Sequence, residues 1–547
     1  MEIGTELGEK FRGSKLARVK HILENLPNGQ ESSLRGSIRR LAHGAGAQGA
    51  ATAIQMLSTV LLVPLYLNSW SVPLFGEWMA LYALVLYLNN LDIGIGAASL
   101  NAATMAYSRG DWEDFKRVQG AGWAISLALG AMGCLVVGIG AAFAPLGSWL
   151  GLKSMLPGES RLVAFALGCS TALAIPGRQL TNVFTATGEY ARAVWLQNLF
   201  AICNALATAA LLLAGARPGL LALVLAGAGF VYIGVTMGLL RRKDPRLLPS
   251  VRLARWATAR QLGSPTSDFA VSLLATSLAL HGPVLLISRL LGGGAVAVFT
   301  TTRTLANLIK ALCGLVRWPV RPELAAFTAL RAREKLSSVF RLFIGVEATI
   351  SATFLAGLWV AGEWIVRQWT SGRIAPGATF IRLMTLAVIL DAFVTGLAWG
   401  SVATNRLRIF AIAQISTAVI SLVLMAWWFG RYGLLGVPLA VIAATVLVMG
   451  PAGLREVAVS SGIPPSELPR CLLAPASFVF LSAFLSAEAV RRFCPGPPWV
   501  TGGLAAAISF VVAGAVLTKF LFTREERRQG LAELVRRCEA KAAQAEV

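Results

Sequence analysis

Charge is scarce in this chain. Of its 547 residues, 14% are charged, against about 25% in a soluble globular protein. So little polar surface cannot cover a soluble fold of this size. A disordered chain is excluded as well, because 56% of the residues are hydrophobic. Acids are scarcer than bases: 27 Asp and Glu stand against 49 Lys and Arg, a formal net charge of +22. Histidine is almost missing, and His21, His43 and His281 are too scattered for a metal cluster. The seven cysteines form no CxxC pair. Cys134, Cys169, Cys203, Cys313 and Cys471 lie in or beside apolar runs, Cys494 near a short loop and Cys538 in the tail, so all read as structural or incidental. The first 40 residues hold no apolar stretch of the kind a secretory signal needs, and read as a polar cytoplasmic arm with amphipathic spacing around 16–26. No Walker A sequence, GxSxG, HExxH, kinase or deaminase signature occurs. The expectation is a protein that is not an enzyme and does not hydrolyse ATP.

What is present is apolar sequence in long runs. A bilayer span needs roughly 20 apolar residues, and fourteen such stretches can be placed, from 45–67 to 499–518. The fourth (162–183), eighth (294–317) and tenth (383–401) also carry polar residues. With the N-terminus inside, most Lys and Arg fall in the cytoplasmic segments and few in the opposite loops, as the positive-inside rule requires. An even number of spans then puts both termini in the cytoplasm. The same bias explains the +22 without any nucleic acid as partner. The longest internal polar segment, RRKDPRLLPSVRLARWATARQ at 241–261, follows the sixth span. Six spans, a basic linker and six more spans is the layout of a two-lobed transporter. The hairpins 62–88 and 285–309 share an outline of apolar run, short loop and apolar run. The expected fold is an all-α polytopic membrane protein of about 14 transmembrane helices, with two six-helix lobes around a central cavity. Its parts would be an N-terminal arm (1–44), a first lobe (45–240), a linker (241–266), a second lobe (267–453), two further helices (454–518) and a cytoplasmic tail helix (519–547).

An ionisable side chain inside a span is costly, so it faces a water-filled path or a partner. Arg303, Lys310 and Arg317 are seven apart, about two helical turns, and share one face of the eighth span. As a cationic stripe they would line a cavity and bind an anionic headgroup, the guanidinium forks suiting phosphate. Alternatively, Arg317 and Lys310 snorkel to the interface. Arg178 follows a Pro-Gly break in the fourth span and is a fourth candidate for the cationic cavity. Asp92, Asp268, Glu347 and Asp391 are the main intramembrane acids. Asp391, Asp268, Asp92 and His281 are candidates for ion coupling or charge pairing, with helix caps or packing as the plainer roles. The glycines beside Asp92 favour the structural role there. Gln197 and Asn204 are candidate sugar contacts or helix bridges. No metal or cofactor site is expected; coupling to Na+ or H+ is left open.

Several short elements then point to a family. They are P-L-Y-L at 64–67, F-G-x-W at 75–78, L-D-x-G-x-G at 91–96 and Gly110-Asp111. The second half adds R-T-L at 303–305, P-E-L at 322–324, NRLRIFAIAQ at 405–414 and YGLLGVPLA at 432–440. Their order and spacing resemble bacterial polysaccharide (O-antigen) flippases, within the multidrug/oligosaccharidyl-lipid/polysaccharide exporter superfamily. The likeness covers roughly residues 40–460. It implies alternating access by two lobes in the bacterial cytoplasmic (inner) membrane. The substrate it implies is a polyprenyl-diphosphate-linked oligosaccharide for O-antigen, capsule or exopolysaccharide. Arg303 and Arg178 would best meet the diphosphate. Membrane lipids, a polysaccharide polymerase and chain-length machinery would be its partners. A lipid-linked peptidoglycan precursor flippase has similar architecture and chemistry. A cation-coupled drug or metabolite exporter is a further alternative, against which the deep basic residues argue. A membrane-embedded glycosyltransferase is disfavoured by the short outer loops.

Overall fold

The computed structural model describes residues 28–92, 94–262, 267–330, 333–399, 407–461 and 466–521. The amphipathic stretch at 16–26 and the tail after 521 lie outside the described residues. Every regular element among the described residues is helical. In chain order these include α1 (Asn28–Ser69), α2 (Val72–Leu86), α3 (Ile95–Ser108), α4 (Trp112–Phe143) and the short α5 (Leu146–Leu150). Next come α6 (Pro157–Ala186), α7 (Tyr190–Leu213), α8 (Pro218–Lys243) and the short α9 (Trp256–Leu262). The second half has α10 (Ser267–Leu291), α11 (Gly293–Ala329), α12 (Arg333–Trp369), α13 (Ala378–Leu397), α14 (Leu407–Tyr432), α15 (Gly436–Ala444) and α16 (Gly450–Ser461). Two last helices are α17 (Ala474–Phe493) and α18 (Pro498–Leu521).

Eleven stretches among the described residues are long and apolar enough to cross a membrane. The difference from fourteen has physical causes. Two expected spans merge into one apolar stretch, Arg408–Val459. The other two are α11, which carries the Arg303–Lys310–Arg317 stripe, and α17, which ends in Glu488, Arg491 and Arg492. Charge makes both less apolar than the other eleven, although each is a long helix.

The short elements of the sequence have local structural reasons. Ser71 caps α2 by accepting from the Leu74 N–H at 3.3 Å, with Pro73 in the first turn. Asp111 caps α4 by accepting from the Asp114 N–H at 2.9 Å. In the L-D-x-G-x-G run, Asp92 accepts from the Gly96 N–H at 2.9 Å. Gly94 takes φ +80, a left-handed conformation that costs glycine no Cβ clash, and so turns the chain from a 3-10 segment (Tyr87–Asp92) into α3.

The two hairpins of similar outline meet. A Cβ at Gly76 on α2 would lie 1.7 Å from the Gly293 carbonyl oxygen at the start of α11. Beside this contact the Glu77 carboxylate is buried and accepts backbone N–H groups of Lys153, Ser154 and Met155 at 2.7, 2.7 and 2.8 Å. Ser288 donates to the Leu150 carbonyl at 2.6 Å, and Arg289 to that of Ser148 at 2.7 Å. The first and second halves are therefore sealed together at this end. We expect Gly76→Ala to lower stability by at least about 1–3 kcal/mol, the usual cost of overpacking. A thermal unfolding midpoint of the purified protein equal to the parent's would contradict the close contact.

The linker is more structured than a polar connection needs to be. It holds two 3-10 turns, Pro245–Leu247 and Val251–Leu253, and lies so close to α4 that a Cβ at Gly120 would be 2.6 Å from the Ser250 carbonyl oxygen. The last two helices pack on α12 through small residues. Ala348, Ala352 and Ala356 face Ala476, Ala483, Ala487, Ala505 and Ala513 in one cluster. Small side chains allow the close backbone approach on which packing in lipid depends.

Candidate functional site

The site is organised by α11. Its positions Phe299, Arg303, Asn307, Lys310 and Arg317 recur at helical spacing and line one cavity of about 280 Å³. The neighbouring positions Thr300, Thr301 and Thr304 line a second cavity, of about 860 Å³. At the level of residues 299–304, α11 is thus a wall with a cavity on each side.

The smaller cavity lies among α10, α11, α13, α14, α15 and a π-helical turn at Thr445–Met449. The three predicted cations do share it, but two of them are paired. Lys310 makes a hydrogen-bonded ion pair with Asp391, the two side chains being 36% and 34% exposed, so cavity water screens them. Arg317 forks onto Glu347, with Nη2 to Oε2 at 3.2 Å, and also donates to the Ala392 carbonyl. These side chains are 10% and 1% exposed. The helix continues to Ala329, so Arg317 does not snorkel at a helix end but ties α11, α12 and α13 together. Room for the fork comes from Gly396, where a Cβ would sit 2.1 Å from Glu347 Oε2.

Arg303 is held differently. Its Nη1 donates to the Leu280 carbonyl at 2.6 Å, in a stretch of α10 next to the Pro283 interruption. Its guanidinium carbon lies 4.8 Å from the centre of the Phe299 ring, a cation–π arrangement. Among the described residues it has no carboxylate partner. Three cations against two carboxylates leave one positive charge on this cavity, and that charge is Arg303.

The remaining candidates are distributed elsewhere. Arg178 on α6 lines neither cavity. It donates to Asn89 Oδ1 at 3.3 Å and lies 3.9 Å from Asp92 Oδ2, fastening the Tyr87–Asp92 segment to α6. The expected joint action of Arg178 and Arg303 therefore has no support in the geometry. His281 packs edge-on against Tyr87, with ring centres 5.7 Å apart. Asp268 falls in the first turn of α10, and its side chain lies outside those described.

The larger cavity contains both expected sugar contacts, Gln197 and Asn204 of α7. Gln197 also donates to Thr181 Oγ1 at 3.3 Å. Sequence reasoning missed the rest of the lining. From α1 come Gln55, Ser58, Thr59, Leu62 and Tyr66, and from α2 Trp78 and Tyr82. The signal was available: 55, 58, 59, 62 and 66 follow the i, i+3, i+4, i+7 pattern of a single helix face. It was hidden because neutral polar residues interrupt an apolar run only weakly.

No protein-family model and no curated protein sequence matches the chain. Solved structures do. The chain is similar to an inward-facing multidrug resistance MATE family transporter of the MOP superfamily, at TM-score 0.61 and 16% identity, covering 76% of this chain and 96% of that one. It is similar to the lipid II flippase MurJ in an inward closed conformation, at TM-score 0.61 and 11% identity, covering 87% and 98%. A MATE structure in complex with MaD3S follows at TM-score 0.53 and 17% identity, covering 78% and 96%. At these identities the likeness shows a shared fold and nothing further.

Proposed function

We propose that the chain is a flippase that moves a polyprenyl-diphosphate-linked oligosaccharide across the bacterial cytoplasmic membrane for surface polysaccharide synthesis. The observation that carries this reading is Arg303, a guanidinium with no carboxylate partner among the described residues, facing a cavity where the other two cations are neutralised. A guanidinium is a bidentate donor to phosphate, and a buried-side site for an anion needs such a group. The shared fold of MATE and MurJ structures supports transport or flipping. The short motifs of the sequence favour the polysaccharide branch. The distribution of Lys and Arg supports both termini lying in the cytoplasm, and the sealed end at Gly76 and Gly293 would then face outward.

Deleting the gene in its host tests the reading. We expect loss of surface glycan with accumulation of glycan-loaded carrier in the inner leaflet. Unchanged glycan with altered drug sensitivity would replace it by the exporter reading. Loss of peptidoglycan precursor export, with glycan intact, would replace it by the lipid-linked peptidoglycan precursor reading. A carrier that is never loaded would point to an enzyme.

A further inference from the structure

We infer that the larger cavity selects uncharged oligosaccharide and rejects glycans bearing carboxylates. The inference rests on the flippase reading and deepens it. The lining has no Asp, Glu, Lys, Arg or His side chain. The cavity, of about 860 Å³, is mainly apolar with uncharged polar groups set into its wall. Its polarity comes from amides and hydroxyls: Gln55, Gln197, Asn198, Asn204 and the threonines of α11. Such groups both donate and accept, which matches sugar hydroxyls.

Asn198 shows that these amides do not all serve the cavity: its Nδ2 is bonded to the Ala47 carbonyl at 3.1 Å. Asn204 has no such structural bond among those described, and Gln197 holds Thr181 only at 3.3 Å. Both keep acceptor capacity for a ligand. Tyr82, which is exposed, supplies an apolar face edged by a hydroxyl, against which the C–H face of a sugar ring can lie. The volume is within the range of about 300–1,000 Å³ typical of small-molecule sites.

An ionised carboxylate brought into this cavity would lose water and meet no cation on the lining; Arg178, which donates to the lining residue Asn89 from behind, already lies beside Asp92. Leaving a charge unpaired away from water is costly, and the penalty acts as a specificity filter. The nearby positive charge, Arg303, is on the other face of α11 and opens to the smaller cavity. Arg303 is therefore not part of the larger cavity's wall and does not offset a carboxylate bound there.

The test uses the purified full-length protein in lipid nanodiscs. Two short-chain polyprenyl-diphosphate disaccharides are titrated, one neutral and one with a uronate in place of the hexose. Binding is read by calorimetry. The neutral lipid should bind at least tenfold more tightly, and Gln197→Lys should narrow that ratio by raising uronate affinity. Equal affinity for the two lipids, or a preference for the uronate, overturns neutral selection while leaving the flippase reading in place. Binding of neither lipid, with binding of a lipophilic organic cation such as tetraphenylphosphonium, overturns both. The comparison on the unaltered protein stands even where Gln197→Lys fails to fold. An unchanged ratio in a folded Gln197→Lys would also count against the cavity as the selecting surface.

Discussion

Arg303→Gln should slow translocation of a diphosphate-linked glycan by about 10- to 100-fold, while membrane abundance stays normal. The estimate takes the loss of one charge-assisted hydrogen-bonding group as about 1.5–3 kcal/mol. Abundance is expected to hold because Arg303 ties the fold together less than its neighbours do. Its structural contacts are one backbone carbonyl and one aromatic ring. Arg303→Lys keeps the charge but loses the fork, so it should fall between the parent and the glutamine variant. The measurement is transfer of a fluorescent lipid-linked glycan between leaflets of reconstituted vesicles. Parent-like rates in Arg303→Gln would remove this residue from the site.

Arg317→Met should behave in the opposite way, with loss of folded protein as its main effect. Removing one member of a buried ion pair leaves the other charged and unpartnered, at a cost of about 3–5 kcal/mol. Glu347 is then buried with no guanidinium, beside a backbone that was shaped around it at Gly396. Replacing both members, Arg317→Met with Glu347→Leu, should recover much of the stability, because an apolar pair of similar volume fits such a site. A double-mutant cycle on thermal unfolding decides the matter. If the single and double variants were equally unstable, the pair would not be the cause. If Arg317→Met folded normally but failed to transport, Arg317 would belong with Arg303 in substrate binding.

These two residues also show what was legible in the sequence. The seven-residue spacing placed Arg303, Lys310 and Arg317 on one helix face, and one cavity does take all three. Spacing along one helix says nothing of the partners on others. Asp391 lies on α13 and Glu347 on α12, distant in sequence from the cations they neutralise. The membrane class, the helical fold and the near-fourteen spans were legible because long apolar runs have few other uses. The charged helices α11 and α17 were both expected as spans and both form long helices, although their charge leaves them less apolar than the rest. Gln197 and Asn204 stood out as polar residues in an apolar run, and both line the larger cavity. Gln55 and Thr59 did not stand out, although the same logic applied to α1. Arg178 looked like a site residue because of the Pro-Gly break before it, yet its neighbours Asn89 and Asp92 use it as a clamp.

The pairing on α11 has an electrical consequence. If the helices around the smaller cavity cross the membrane field as one body, Lys310–Asp391 and Arg317–Glu347 move without net charge. Arg303 alone feels the voltage, and one elementary charge carried through the whole potential is worth about 2.3 kcal/mol per 100 mV. An interior-negative membrane draws the empty, positive site inward. Under the proposed flippase reading, a bound diphosphate would outweigh one guanidinium and reverse the sign, so the same voltage would drive the loaded site outward. On that reading charge alone would give the cycle its direction, with the empty and the loaded strokes each running downhill.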